Sequence, residues 1–224
     1  MVKIIAIDGP SGAGKGAVGS MLAKNLGFHY LDSGALYRLL GLVAVRHKID
    51  TGGNHNLTRL AENMDIGFEV RADGDNRVLL EGEDVTRELR TEKTAALASQ
   101  VATSSQIREA LLLRQRRFAK APGLVADGRD MGTVVFPDAP LKVYLTASIE
   151  ERARRRHKQL LENGESVSLR ALEEQVRSRD ERDMSREASP LVAAADAVEL
   201  DTSELSVHEV VDTVQNIAIL RGLM

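Results

Sequence analysis

The run Gly9-Pro10-Ser11-Gly12-Ala13-Gly14-Lys15 fits the pattern G-x-x-x-x-G-K. Glycines at this spacing let a backbone wrap an anion with successive N–H groups pointing inward, and a helix N-terminus behind them adds partial positive charge. A lysine in the last position reaches phosphate oxygens beyond the cradle. The alternative is a glycine-rich turn without a ligand, and the flanks weigh against it. An apolar strand-like run, Val2 to Asp8, precedes the turn, and Val18, Met21, Leu22 and Leu26 follow at helical spacing. The usual Ser or Thr after the lysine is absent, with Gly16 and Ala17 standing there.

Such a cradle serves GTPases, motors, kinases and nucleotide sensors alike, so other residues have to decide. A guanine reader needs Asn-Lys-x-Asp or Thr-Lys-x-Asp, and neither occurs. Asp50-Thr51-Gly52-Gly53 fits the switch pattern D-x-x-G, a four-residue match of the sort that arises by chance. A small-molecule kinase must hold two phosphate-bearing ligands end to end and shut out water. That predicts arginines converging from several segments, and a mobile lid. The chain has 22 Arg against 8 Lys, which fits either bidentate phosphate handling or genomic GC bias. Position favours the first. Arg38 closes the segment from Asp32, and Arg129 lies in Asp127-Gly128-Arg129-Asp130. Arg152, Arg155 and Arg156 share one helix face with Arg154 beside them, and Arg179, Arg182, Asp183 and Arg186 share the next. Interleaved glutamates (Glu150, Glu151, Glu173, Glu174, Glu181) leave a solvated face open as the reading of any single arginine.

The elements that must position these groups are legible in outline. A strand to Asp8, the glycine turn, a helix closing at Gly27, a strand Phe28 to Asp32 and a helix Ala35 to Arg46 make a βαβ opening, hence a mostly parallel sheet. From about Lys48 to Glu92 the texture changes: Thr51 to Asn54 reads as a loop, and Gly67 to Val70 and Arg77 to Leu80 as strands about the turn Ala72 to Asp75. Parallel order then resumes with one helix from about Thr94 to Ala119 and strands at Leu124 to Asp127 and Leu141 to Leu145. Helices at about 149–163 and 168–182 follow, joined through Glu162-Asn163-Gly164, then a strand Ala197 to Leu200 and a helix from Val207. Gly164 reads equally as a lid hinge or a plain turn.

Composition bounds the rest. With 224 residues, 43% of them apolar, the chain supports one core with small insertions. The absence of cysteine excludes disulfides and thiolate metal sites, and the formal charge of −3 argues against nucleic-acid or anionic-membrane partners. After Lys3 the apolar run is stopped by Asp8, so a leader and a membrane span are not expected, and a cytoplasmic monomer is the default expectation. The five histidines are scattered without ligand spacing.

Over essentially its whole length the sequence resembles the bacterial cytidylate kinase family. The resemblance rests on Gly9 to Gly16, Leu31 to Arg38, Ile107 to Leu112, Arg179 to Arg186 and above all Asp127-Gly128-Arg129-Asp130-Met131-Gly132-Thr133-Val134-Val135-Phe136-Pro137. It implies an α/β, three-layer P-loop kinase fold: a mostly parallel five-stranded sheet, an α+β nucleotide-binding insertion (39–98) and a short helical lid (151–164) on a core of 1–38, 99–150 and 165–224. The implied reaction moves the γ-phosphoryl group of ATP to CMP, and to dCMP, with Mg²⁺. The implied cofactor contacts are Gly9, Pro10, Ser11, Gly12, Ala13, Gly14, Lys15, Gly16, Ala17 and Arg156. Ser99, Arg108 and Asp130 would hold the base, Arg179 and Asp183 the ribose, and Arg38, Arg129 and Arg186 the acceptor phosphate, with Asp32 and Ser33 beside them. Lys15, Arg129, Arg155, Arg182 and Arg186 form the catalytic set. Asp127 would support the metal, unless it is a helix N-cap. Ser99, within a helix, also reads as an incidental surface residue. Ala17 is the main departure, since this family places Thr or Ser there, whose hydroxyl reaches a phosphate oxygen. Two other classes stay open: a kinase for a different small acceptor, and a nucleotide sensor without turnover.

Overall fold

The computed structural model describes residues 2–49, 55–70, 76–89, 91–162 and 166–224. The chain runs β1 (Lys3–Asp8), α1 (Lys15–Leu26), β2 (His29–Asp32), α2 (Ser33–Arg46), α3 (His55–Asn63), β3 (Ile66–Val70), β4 (Asn76–Leu80), β5 (Glu83–Asp84) and α4 (Thr86–Leu89). It continues through α5 (Glu92–Val101), α6 (Ser105–Arg116), β6 (Gly123–Asp127), a single π-turn (Met131–Val135), β7 (Leu141–Thr146), α7 (Ile149–Glu162), α8 (Leu169–Met184), β8 (Val198–Asp201) and α9 (Val207–Leu220).

Strand β1 is apolar on both faces. Ile5 and Ile7 pack with Leu22 of α1 and Val211 and Val214 of α9, while Ala6 packs with Leu36 and Leu40 of α2 and Leu111 of α6. That alternation between two apolar layers defines a parallel strand buried from both sides. The sheet order is β2-β6-β1-β7-β8, and every pairing in it is parallel. The three-layer α/β reading therefore holds. Register sets the chemistry at the carboxyl edge: Asp127 stands opposite both Ile7 and Asp32, so Asp8, Asp32 and Asp127 end three neighbouring strands together.

The antiparallel insertion is a three-stranded sheet, β3-β4-β5, in which the expected hairpin gains a short third strand. The loop 51–54, the turn 72–75 and Asp50 of the chance switch motif lie outside the described residues. The sequence reading missed α3, nine residues long; it holds because Leu57 and Ala61 are buried and Arg114 of α6 donates to the Glu62 carbonyl at 2.9 Å. The single helix expected over Thr94 to Ala119 is two helices. The Ser104 hydroxyl accepts from the Ile107 amide and starts α6, a local cap that wins over continuous apolar periodicity. Positions 38/39 and 98/99 fall inside α2 and α5.

Helices α7 and α8 pack on each other through a small cluster of their own: Ala153, Leu160 and Leu172, with Val167 against it. At about 1.5–3 kcal/mol for each large buried aliphatic side chain, Leu160 and Leu172 hold the pair by only a few kcal/mol. Asn163-Gly164 between them lies outside the described residues. Among the described residues no helix is long and apolar enough to cross a membrane.

Candidate functional site

A cleft of about 2000 Å³ opens along the carboxyl ends of the sheet strands. Ligand pockets for single small molecules run to roughly 300–1,000 Å³, so this one has room for two nucleotides. One wall is the glycine turn between β1 and α1. Gly14 is the N-cap of α1 at φ 87°, a left-handed conformation that glycine adopts without steric cost. Gly9 and Pro10 stand behind the wall. A Cβ on Gly9 would lie 2.0 Å from the Leu145 carbonyl oxygen, and the Pro10 carbonyl accepts from Lys15 Nζ at 2.9 Å. From Ser11 to Ala17 the turn lines the cleft.

The three strand-terminal aspartates have three different tasks. Asp32 Oδ1 accepts from the Ala35 amide at 2.9 Å and caps α2, while its Oδ2 accepts from Arg38 at 3.1 Å. Asp8 accepts from the amides of Met131 and Gly132 at 2.8 and 2.7 Å, holding the π-turn. Asp127 accepts from the Tyr30 hydroxyl at 3.2 Å rather than from a helix N–H, and stands 4.0 Å from Lys15 Nζ. The N-cap alternative for Asp127 is thus replaced: Asp32 and Asp8 do the capping. Burial raises Asp8 to about 6 against the pull of its two amide partners. Burial, with the Arg129 guanidinium behind it, pushes the Lys15 ammonium down, and Asp127 and Asp8 pull it back up. Burial likewise pushes Asp127 up, with Lys15 opposing.

The opposite wall is built from guanidinium groups seated on carboxylates. Asp183, only 5% exposed, accepts from Arg129 Nε at 2.9 Å and from Arg186. Burial would raise its carboxyl, but Arg129 and Arg186 outweigh that and hold it below its ordinary value. Arg108 donates to Asp130 at 2.5 Å and lies 5.8 Å from the Tyr37 ring centroid. Arg182 reaches Ser99 Oγ at 3.5 Å, so helix α8 touches α5 across the cleft. Arg155 donates to Glu151 at 2.8 Å and to Thr202 Oγ1 at 3.1 Å, beside the cradle. Arg156 donates to Gln159 at 3.4 Å on the same rim. Ser33 and Arg179 line the cleft as well.

The structure thus brings together all the sequence-derived site residues, with Gly9 and Pro10 supporting the wall rather than lining it. Arg152 departs from its place on a shared phosphate-facing stripe. It is 4% exposed, pairs with both carboxylate oxygens of Asp180 at 2.9 and 2.5 Å, and donates to the Ser11 carbonyl at 3.1 Å. It struts the cradle against α8. Sequence reasoning also missed Thr202, whose hydroxyl donates toward the carbonyls of Ala13 at 3.2 Å and Thr146 at 2.9 Å, and Tyr30, the partner of Asp127. Neither carries a local signal. Asp8 did: a carboxylate directly after four apolar strand residues has to find partners.

A parallel sheet with this cradle at its carboxyl edge and a two-ligand cleft lined by arginines defines a P-loop kinase. The cytidylate kinase family model matches residues 5–219. The chain is 54% identical over 221 residues to a cytidylate kinase of Pseudomonas savastanoi pv. phaseolicola, covering 98% of this chain and 96% of that one. It is 57% identical over 215 residues to a cytidylate kinase of Pseudomonas aeruginosa, covering 95% and 93% respectively. An uncharacterized protein from Eubacterium ventriosum, 13% identical, has the same fold with a TM-score of 0.54 over 98% of this chain and 99% of that one. The chain belongs to the cytidylate kinase family.

Proposed function

We propose that this protein transfers the γ-phosphoryl group of ATP to CMP, and to dCMP, giving CDP or dCDP and ADP. The observation that carries the reading is the pairing of the cleft's two walls: a lysine-bearing cradle faces arginines delivered by α2, the β6 loop and the end of α8. Family membership selects the pyrimidine acceptor. In this reading 39–98 is the acceptor-binding insertion and 151–164 the lid, whose motion starts beyond Arg152.

The cradle from Gly9 to Ala17, with Arg156, holds ATP, and Lys15 sits against the β- and γ-oxygens. Arg38, Arg129 and Arg186 hold the acceptor phosphate, with Asp32 and Ser33 behind them. An acceptor-phosphate oxygen attacks the γ-phosphorus in line, the bond to the β–γ bridging oxygen breaks, and ADP departs with that electron pair. Lys15, Arg129, Arg155, Arg182 and Arg186 offset charge on the transferring group; a phosphate monoester is already largely ionised at neutral pH, so no strong base is needed. Asp130 accepts from the cytosine amine, Arg108 donates to the acceptor edge and Ser99 completes the base contacts, while uracil would set a carbonyl against the carboxylate. Asp183 and Arg179 hold the ribose.

Of the two buried carboxylates beside the cradle, Asp8 is taken up by the Met131 and Gly132 amides, which leaves Asp127 to fit a Mg²⁺ ion carried in by ATP, an ion that characteristically keeps several waters and one or two carboxylates. Asp127 is the residue to hold it, and the ion would neutralise charge at the phosphates. Assay of ADP formation with Mg-ATP against CMP, dCMP, UMP, AMP and GMP tests the reading. CMP and dCMP should stimulate most; turnover with another acceptor alone, or with none, would overturn it.

A further inference from the structure

Asp130 occupies the N-cap position of the π-turn Met131–Val135, with φ −144° and ψ 23°. An aspartate there ordinarily folds its carboxylate onto the first free N–H groups of the turn it precedes. Asp130 makes no such bond, because Asp8, 123 and 124 residues away in sequence, already accepts from Met131 and Gly132. Asp130 turns its carboxylate to Arg108 instead. The other end of the turn is held as firmly. Arg116 donates from Nε to the Val135 carbonyl at 2.9 Å and from Nη2 to the Val134 carbonyl at 3.1 Å.

A carboxylate at the N–H end and a guanidinium at the C=O end are the charges that complement the dipole of a helical turn. They matter more here than in a long helix, since the turn spans five residues and is closed by three backbone bonds: Val134 N to Asp130 O at 2.9 Å, Val135 N to Asp130 O at 3.0 Å and Phe136 N to Met131 O at 2.7 Å. π-Helical turns are rare, and those found as bulges within α-helices are frequent at functional sites. Helix α6 supplies both arginines: Arg108 for the Asp130 side chain and Arg116, eight residues on and about 12 Å along the axis, for the far end of the same segment.

We propose that Asp8 and Arg116 are positioning residues that strap this turn at its two ends, leaving the Asp130 carboxylate to face the acceptor base. The inference deepens the acceptor assignment above and rests on it. Neither residue touches a substrate in that assignment; both act through Asp130.

The test compares Asp8→Asn and Arg116→Met with the parent chain, by steady-state kinetics and by crystallography of the free proteins. In Asp8→Asn an amide NH₂ replaces one acceptor and opposes a backbone N–H. The KM for CMP should rise about tenfold, as expected for losing one hydrogen bond to a charged group. The preference for CMP over UMP should fall with it; because Asp8 also pulls Lys15 up, the ATP control is read on Arg116→Met, where the KM for ATP should stay put. Arg116→Met, on an exposed residue and therefore safe for folding, should give the same pattern with smaller amplitude, and Arg116→Lys should restore part of it. In crystals of Asp8→Asn the Asp130 carboxylate should swing from Arg108 onto the amides of its own turn. A lower melting temperature with parental KM and preference in both variants would overturn the proposal. So would an Asp130 still seated on Arg108 in the Asp8→Asn crystal. If the parent chain shows no preference for CMP, the acceptor assignment falls on its own, and the position of Asp130 in the crystal still decides whether the strap exists. If Asp8→Asn does not fold, Arg116→Met decides.

Discussion

The two walls of the cleft solve one problem, holding phosphate, by opposite means. The cradle is made of backbone: its shape follows from glycine conformations such as φ 87° at Gly14, and its lysine is anchored on the cradle's own Pro10 carbonyl. The facing wall is made of side chains, and four of its guanidinium groups are aimed by carboxylates: Arg38 by Asp32, Arg129 and Arg186 by Asp183, Arg108 by Asp130. A backbone site is rigid and indifferent to most side-chain changes away from its few key positions. A wall of ion pairs can exchange a protein carboxylate for a ligand phosphate, which suits a surface that has to close on an acceptor and release it.

That difference can be broken from either side. The largest effect belongs to the cradle: Lys15→Ala should abolish CMP-dependent ADP formation, measured against the uncatalysed background. On the facing wall, Arg129→Ala should lower kcat by about 10³-fold, as removal of a transition-state arginine does. It also leaves Asp183 with fewer cations, so melting should be followed in parallel. Asp130→Asn should leave ATP binding intact and reduce the preference for CMP over UMP by about ten- to hundredfold, the worth of a well-placed base contact. The smaller change returns to the cradle. Ala17 is exposed beside it, and Ala17→Thr adds a hydroxyl where a phosphate oxygen can accept, so ATP affinity by calorimetry should tighten by about tenfold. Finally, Asp183 is held below its ordinary 3.8, so its ionisation adds stability that is complete above that value and is lost as pH falls through the lower folded one. The stability gap between the parent and Asp183→Asn should be constant near neutrality and close in acid.

The same contrast explains what could be read from the sequence. The cradle is contiguous, and its strand, glycines, lysine and helix all stand within 26 residues of the start, so pattern and physics coincide. The sheet followed because buried parallel strands are short, apolar and separated by helices. The arginine wall was legible as residue types and positions but not as partners. Nothing local tells that Arg152 is buried against Asp180 and Ser11 while Arg155, one turn on, stays partly exposed with Glu151 and Thr202. Likewise Ser104 divides α5 from α6 by a single hydroxyl, and α3 exists only because distant side chains cover it. Long-range partners were the illegible part.

A crystal of this protein with a non-hydrolysable ATP analogue and CMP would measure the claim directly. The account predicts the analogue's phosphates in the Gly9–Ala17 cradle with Lys15 upon them, and Arg38, Arg129 and Arg186 together on the CMP phosphate. All three arginines still turned toward Asp32 and Asp183, with CMP bound elsewhere, would contradict it.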